Sequence, residues 1–202
     1  MALLEKVYDP LVWALSAGRV GSLQRATLTA GGVGPGADVL DVGCGTGGLV
    51  VAARQAAGPG ARVVGLDASA AMRAKARRRG IRSGVEVELI EGRVECLPFP
   101  DGCFDVVSLS LVLHYLAADQ AAQAIGEARR VLRTGGRVVV VDFGRSRGVR
   151  SRLRAHLMLH GAVAASAPDL GTLLSGAGLA EVSSWPSPLP ALQIVAGTRR
   201  EP

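Results

Sequence analysis

Residues 39–48 read Val-Leu-Asp-Val-Gly-Cys-Gly-Thr-Gly-Gly, a short apolar run that opens into a glycine-rich loop. Gly43, Gly45 and Gly48 have the spacing G-x-G-x-x-G, and Asp67 follows about twenty residues further on. Such glycines let the backbone turn tightly and approach a ligand, while the amides of the following helix favour an anionic group. The loop therefore predicts a nucleotide-type ligand whose ribose is bound by Asp67. The motif alone leaves open whether the anion is a pyrophosphate or a carboxylate.

Strands and helices alternate outward from this loop. Glycines and prolines punctuate apolar runs at regular spacing, and Ser69 is expected to cap the second helix of the series. The predicted strands cover residues 39–42, 62–66, 85–90, 104–109, 137–142, 179–185 and 193–198, and the predicted helices 49–57, 70–79, 120–132 and 169–176. This alternation is typical of an α/β fold with a parallel sheet and helices on both faces.

Length and composition favour one intracellular domain. The chain has 202 residues, of which 49% are apolar, and a formal net charge of +6. We divide it into an N-terminal helical segment (1–36), a core (37–143) and a basic helical segment with the last two strands (144–202). Glu5, Asp9 and Pro10 interrupt the first apolar residues, so we expect no secretory signal. The three cysteines show no zinc-like spacing, and we expect a soluble, cytoplasmic protein.

Four blocks occur in a fixed order and narrow the choice of ligand. They read VLDVGCGTGGL from Val39, VVGLDAS from Val63, EGRVECLPFPDGCFDVVSLSLVLHYL from Glu91 and EARRVLRTGGRVVVVDF from Glu127. Together they resemble the class I S-adenosylmethionine-dependent methyltransferases, specifically the branch of the ubiquinone and menaquinone biosynthesis C-methyltransferases. The resemblance implies a Rossmann-like, seven-stranded, mostly parallel sheet with an antiparallel last strand. It also implies S-adenosylmethionine as cofactor and a methyltransferase activity.

The same resemblance assigns expected cofactor contacts, residue by residue. The methionyl part would lie near the glycine loop and the end of the fourth strand, the ribose at the end of the second strand, and the adenine between the second and third strands. The expected residues are Asp41, Gly43, Gly45, Thr46 and Ser110 for the methionyl part, Asp67 for the ribose, and Ala68, Arg93 and Val94 for the adenine.

Arg93 departs from the family pattern. The family usually has Asp or Asn at this position, where the side chain accepts a hydrogen bond from the adenine amino group. A guanidinium has no acceptor. A backbone carbonyl or Glu95 takes over the contact, or Arg93 stacks on the adenine face. These alternatives stay open at the level of sequence.

Histidines supply the candidates for chemistry. His114 follows the fourth strand and has the titration range of a general base, if the acceptor has to lose a proton. The alternative is that His114 only packs against the cofactor pocket. His156 and His160 lie one helical turn apart, but without an acidic third ligand they do not predict a metal site.

Competing functions follow from the same residues. A nicotinamide-dependent oxidoreductase shares the glycine loop but not the LPFPDG block, and a non-catalytic S-adenosylmethionine-binding protein shares the whole pattern. Nucleic acid is disfavoured, since Leu109 to Val112 replace the Asn-Pro-Pro-Tyr-like tetrapeptide of base-modifying enzymes and aromatic residues are scarce. The expected acceptor is a small, apolar or lipid-like molecule. Five arginines without an acid between Arg145 and Arg154, followed by apolar residues, indicate either peripheral membrane contact through 145–165 or a helix that covers the sheet with its arginines in water.

Overall fold

The computed structural model describes residues 19–143, 169–190 and 192–201. Its five helices within these ranges are α1 (Val20–Gly31), α2 (Gly48–Ala57), α3 (Ala70–Arg82), α4 (Ala118–Val131) and α5 (Leu170–Gly176). Its strands are β1 (Val39–Val42), β2 (Val63–Asp67), β3 (Glu88–Glu91), β4 (Phe104–Ser110), β5 (Leu132–Phe143), β6 (Ala180–Trp185) and β7 (Leu192–Thr198). A short 3₁₀ turn, Leu113–Tyr115, follows β4.

The seven strands form a single sheet in the order β3-β2-β1-β4-β5-β7-β6. Strands β1 to β5 run parallel to one another, whereas β7 runs antiparallel to both β5 and β6. The expected seven-stranded sheet with an antiparallel last strand is therefore confirmed. Strand order reverses between β1 and β4, which lie side by side, and ligands of open α/β sheets bind at such a switch point.

Helices cover both faces of the sheet. Leu23 of α1 and Val50 of α2 belong to one apolar cluster, which covers one face of the sheet. Ile125 of α4 and Leu174 of α5 belong to the other cluster, on the opposite face. Strands β1, β4 and β5 lie in the middle and are apolar on both sides, as buried parallel strands are. This core fixes the carboxyl ends of the central strands, where the candidate site lies.

Element ends differ from the sequence prediction where tertiary contacts override local signals. We predicted that α3 ends at Gly80, but the helix continues to Arg82, because Gly80 packs against the segment leading into β3. An ideal Cβ at Gly80 would lie 2.9 Å from the Val85 carbonyl oxygen. The third strand starts at Glu88 rather than 85, where its pairing with β2 begins.

Strand β5 starts earlier than predicted. Leu132 already pairs with Phe104, and the next ladder pair is Arg137 with Val106. The residues between them bulge from the ladder, and Gly135 there has a φ of +81° and donates its N–H to the Arg199 carbonyl. Two glycines therefore mark an irregularity inside the strand rather than a loop that precedes it.

No helix in the described ranges is long and apolar enough to cross a membrane. The predicted helical segment before residue 19 and the basic segment 145–165 lie outside the described residues. The same holds for His156 and His160.

Candidate active site

The predicted cofactor residues converge at the carboxyl edge of the sheet. The parallel register sets Val42 beside Leu66 and Leu109, so β1, β2 and β4 end at the same level. The glycine loop follows β1, and Asp67 and Ser110 close β2 and β4. Arg93 follows β3, whose last residue pairs with Asp67. Residues far apart in sequence thus meet at the switch point of the sheet, above which open α/β sheets have their ligand-binding cleft.

Backbone hydrogen bonds fix the shape of the glycine loop. The N–H groups of Gly43 and Cys44 both donate to the carbonyl of Leu66, at 2.7 and 2.9 Å. The next amide, that of Gly45, donates to Oδ2 of Asp67 at 2.8 Å. The loop is therefore tied to the end of β2 at three points, and its position relative to Asp67 is set before any ligand binds.

Two glycines of the loop are required for different reasons. Gly47 has a φ of +79°, and an ideal Cβ there would lie 2.6 Å from Cβ of Ala76 in α3. Gly45 has a φ of +53°, but no atom lies within 4 Å of its ideal Cβ position. A side chain at Gly47 would collide with the fold, whereas one at Gly45 would enter the open cleft. The space that a ligand requires is therefore present above Gly45.

Asp67 has the acceptor capacity to bind a ribose. Its Oδ1 accepts from the Ser69 N–H and its Oδ2 from the Gly45 N–H, both at 2.8 Å. A carboxylate has about four lone-pair sites, so each oxygen keeps one for a ligand hydroxyl. Ala68 is exposed directly beside it. Asp67 therefore keeps acceptor sites that fit the hydroxyls of a ribose.

Asp41 lies beneath the loop rather than in the cleft. Its side chain is buried inside β1, and its Oδ1 accepts a hydrogen bond of 2.8 Å from the Ser108 hydroxyl. Burial raises the pKa of Asp41 to about 7, against the opposing effect of the hydrogen bonds from Ser108 and the Val50 backbone amide. Thr46, which follows in the loop, is also buried. These two residues support the loop from within.

Arg93 extends into solvent and is bound by Glu95. Its guanidinium donates to the Glu95 carboxylate at 3.1 Å, and 73% of its side-chain surface is exposed. Glu95 also accepts from the Gln120 amide at 3.2 Å. Its pKa is lowered, first by its own backbone amide and then by Arg93. Val94 points the other way and packs against the core.

The segment after β3 is held by a single arginine of α4. Arg130 donates to the carbonyls of Leu97 and Phe99 and to the carboxylates of Asp101 and Glu127, over 2.6–3.0 Å. Glu127 in turn accepts from the Leu97 N–H at 2.8 Å. The LPFPDG and EARRVL blocks of the sequence are therefore two halves of one hydrogen-bonded network.

The far side of the cleft contains a buried ionisable pair. Ser110 ends β4, and the chain then passes through Leu111, whose φ is +58°, into the 3₁₀ turn. His114 in this turn contacts Asp142 at the end of β5, with Nδ1 2.9 Å from Oδ1. The structure therefore brings the predicted residue His114 to the same edge as the glycine loop.

Sequence reasoning missed the supporting residues of the site. Ser108 binds Asp41, and Asp142 binds His114. Glu127 and Arg130, which also bind each other, hold the segment after β3. Apart from the bond between Glu127 and Arg130, the bonded residues are 28 or more positions apart in the sequence. Asp142 alone had a partial signal in the sequence, because this carboxylate directly follows a run of four valines that predicts a buried strand. Its partner could not be read from spacing.

Comparison with known families agrees with this geometry. Residues 39–136 match the family model described as "Methyltransferase domain". A demethylmenaquinone methyltransferase of Thermus thermophilus is 43% identical over 105 residues, which are 52% of this chain and 46% of that protein. A ubiquinone/menaquinone biosynthesis C-methyltransferase of Hahella chejuensis is 36% identical over 140 residues, 68% of this chain and 55% of that protein. The chain thus spans about half the length of these curated relatives.

Solved structures share the fold. A crystal structure of an S-adenosylmethionine-dependent methyltransferase of Thermotoga maritima, named a possible histamine N-methyltransferase, matches with a TM-score of 0.70 at 21% identity. The match covers 98% of this chain and 99% of that one. The matched family model spans the glycine loop, Asp67 and the loop held by Arg130. The fold, the glycine loop and these matches together identify residues 39–136 as a methyltransferase domain, similar to the class I S-adenosylmethionine-dependent methyltransferases.

Proposed function

We propose that this protein transfers the methyl group of S-adenosylmethionine to a small, largely apolar acceptor. The observation that carries the proposal is the hydrogen bond from Gly45 to Asp67, which couples an open glycine loop to a carboxylate with spare acceptor sites. This pair lies at the switch point of the sheet, where the family binds its cofactor. A nicotinamide enzyme remains the competitor in the binding test below.

Each residue of the cleft then has a role toward the cofactor. The loop around Gly43, Gly45 and Thr46 lies against the methionyl part, supported from below by Asp41. Asp67 accepts from the ribose hydroxyls. Ala68, Val94 and the segment of Arg93 flank the adenine, and Ser110 faces the methionine end.

Bound S-adenosylmethionine supplies an activated methyl group on a sulfonium. The protein's contribution is mainly to hold the acceptor in line with that methyl and to exclude water, and such positioning accounts for a large share of the rate. The rigid loop suits this task, because its three hydrogen bonds to the end of β2 fix it in advance.

The proposed acceptor is lipid-like and presented at a membrane surface. The two curated relatives named above are quinone-biosynthesis methyltransferases. The five arginines between 145 and 154 have no acid among them and precede apolar residues. Clustered arginines near an anionic bilayer contribute about 1 kcal/mol each, and the apolar residues insert at the headgroup level.

Calorimetry with S-adenosylhomocysteine and with NADH tests the cofactor assignment. We expect saturable binding of the first and none of the second. Gly45→Ala should weaken binding by at least tenfold, because its Cβ enters the cleft. Gly84→Ala is the matched control: its φ is +66°, its Cβ position is equally open, and it follows α3 away from the cleft. It should lose similar stability, about 1–2 kcal/mol, without a change in affinity. Binding of NADH alone would overturn the proposal.

The acceptor is tested with reduced demethylmenaquinone in detergent micelles. Labelled S-adenosylmethionine should yield a methylated quinol that mass spectrometry detects. The lipid-like acceptor would be contradicted if the protein binds S-adenosylhomocysteine but transfers a methyl group neither to this quinol nor to any molecule of a cell lipid extract.

Vesicle flotation tests the membrane contact separately. We expect retention on anionic vesicles at low salt and release at high salt, and no retention on neutral vesicles. A variant with all five arginines between 145 and 154 changed to glutamine should lose retention. No retention of the unaltered protein on anionic vesicles would remove the surface from the proposal.

A further inference from the structure

The buried pair of His114 and Asp142 suggests what kind of acceptor the enzyme takes. We infer that His114 and Asp142 form a proton-accepting dyad, so that the acceptor is a molecule that must lose a proton as it gains the methyl group, such as a phenolic or quinol hydroxyl or an acidic ring carbon. This inference rests on the proposed function and adds the substrate class to it.

Hydrogen bonds determine which nitrogen of His114 is free. Asp142 accepts from Nδ1 of His114 at 2.9 Å, from the His114 backbone N–H at 3.2 Å and from the Phe143 N–H at 2.7 Å. Because a carboxylate only accepts, the neutral imidazole carries its proton on Nδ1 and a lone pair on Nε2. Among the described residues Nε2 has no hydrogen-bond partner. It is therefore the atom available to take a proton.

The surroundings hold the ring in one orientation. The side chains of His114 and Asp142 are 6% and 2% exposed. The imidazole is edge-on to the Phe143 ring, with centroids 5.2 Å apart, and the Tyr115 ring lies at 3.9 Å. A packing histidine would require neither a buried carboxylate nor a main-chain amide bound to the same carboxylate. Burying the Asp142 carboxylate costs free energy, and its hydrogen bonds offset this cost only as long as His114 stays bound to it.

The dyad lies beside the place where the methyl group is expected. Ser110, the last residue of β4, pairs with Val141 of β5. Asp142, the next residue of β5, therefore lies one position beyond the end of β4. Leu111, whose φ of +58° is strained for a residue with a side chain, turns the chain into the 3₁₀ turn that contains His114. Strain of this kind is retained mostly at functional positions. Tyr115, 69% exposed, offers an aromatic surface next to the imidazole.

The proposed step balances without a further reactant. A lone pair of the acceptor oxygen, or the electron pair of its acidic ring carbon, forms the new bond to the methyl carbon. The bond between sulfur and methyl breaks, and its electron pair stays on sulfur. The acceptor proton passes to Nε2 of His114, and the imidazolium is stabilised by the Asp142 carboxylate. Water then takes that proton from the site.

Asp142→Asn and His114→Gln test the dyad. Asp142→Asn removes the charge that stabilises the imidazolium. With its oxygen on the His114 backbone N–H, the amide nitrogen of Asn faces Nδ1 in place of the Phe143 N–H bond and shifts the imidazole proton to Nε2. We expect kcat with reduced demethylmenaquinone to fall by about 10²–10⁴-fold in both variants, while the Kd of S-adenosylhomocysteine stays within about twofold.

A spectroscopic readout does not depend on turnover. In ¹⁵N spectra of histidine-labelled protein, one of the three histidines disappears in His114→Gln and is thereby assigned. Its neutral form should carry the proton on Nδ1 in the unaltered protein and on Nε2 in Asp142→Asn. Asp119→Asn, which neutralises an exposed carboxylate in the next helix, should change neither spectrum nor rate.

The outcomes separate this inference from the function it rests on. Absence of S-adenosylhomocysteine binding would contradict the proposed function, whatever the dyad does. Binding with a neutral His114 protonated on Nε2, or transfer rates unchanged in both variants, would overturn the dyad and leave the methyltransferase intact. A loss of rate with the expected tautomer would support it.

Discussion

Asp67 is the residue on which both the loop and the expected ribose contact depend. Its two oxygens already accept the Gly45 and Ser69 amides, so it organises the cleft as well as offering acceptor sites. A side chain with only a ligand-binding role would make no such bonds within the protein. Substitution at this position should therefore affect the loop and the ligand together.

Asp67→Ala should weaken S-adenosylhomocysteine binding by about ten- to a hundredfold, since hydrogen bonds to a charged group contribute roughly 1.5–3 kcal/mol. The fold should survive, because Asp67 is only partly buried and water can reach the two amides. Calorimetry and thermal unfolding measure the two effects. Glu86→Ala, an exposed carboxylate before the amino end of β3, is the control and should leave affinity unchanged. An unchanged Kd in Asp67→Ala would remove Asp67 from the site.

Arg93 differs from the family pattern, and the structure binds it to Glu95 in solvent. Arg93→Asp restores an acceptor side chain at this position. We expect affinity for S-adenosylhomocysteine to hold or increase, and Arg93→Gln, which loses only the charge, to behave similarly. Calorimetry at constant salt measures both. A several-fold loss in Arg93→Asp would show that the guanidinium stacks on the adenine instead.

At the scale of elements, α4 does more than cover the sheet. Ala124 and Ile125 of this helix are buried in the core, while Glu127 and Arg130 bind the segment from Leu97 to Asp101. Arg93 and Val94 lie just before that segment. The helix thus positions the chain next to the proposed adenine contacts through hydrogen bonds to main-chain atoms.

Arg130→Lys should separate this positioning effect from charge. An ammonium keeps the charge but cannot span two carbonyls and two carboxylates in one plane. We expect a loss of roughly 2 kcal/mol in the free energy of unfolding and faster amide exchange in residues 97–103. Arg77→Ala, on the exposed face of α3, is the control and should be neutral. Unaltered exchange in Arg130→Lys would contradict the role assigned to the network.

At the scale of the whole molecule, the centre of the sheet contains a carboxyl group in an apolar surrounding. Asp41 of β1 lies between β2 and β4, and its pKa is raised to about 7 by burial. The unfolded chain ionises this group near its usual value of 3.8. Between these values the folded state binds more protons, so this contribution to stability is complete below about pH 4 and is lost as the pH rises through about 7.

Asp41→Asn should remove that pH dependence. The amide satisfies the same partners, with its oxygen toward the Val50 N–H and the Ser108 hydroxyl turned to the Leu40 carbonyl, which lies 3.4 Å away. In urea titrations at pH 5 and pH 8, the variant should gain stability relative to the unaltered protein as the pH rises. The carboxylates with lowered pKa stabilise both proteins equally as the pH rises, so their effect cancels in the difference between the two free energies of unfolding. Parallel curves would contradict the protonated state of Asp41.

The sequence by itself determined the order of the strands along the chain, the glycine loop, Asp67 and the cofactor class. These are local signals: a strand, a tight turn and a helix start lie within about a dozen residues, and their spacing encodes them. Element ends were less certain, since Gly80 and Gly135 serve packing and a bulge rather than the ends that glycine suggests.

Only the tertiary structure decided which side chains act together. His114 and Asp142 are 28 residues apart, and Asp41 and Ser108 are 67 apart. Their contacts exist because β4 lies between β1 and β5 in the sheet, with parallel ends at one edge. Strand order follows from the packing of whole helices and strands, which no local spacing specifies. The contact between His114 and Asp142 and the support of the loop by Asp41 and Ser108 were therefore visible only in three dimensions.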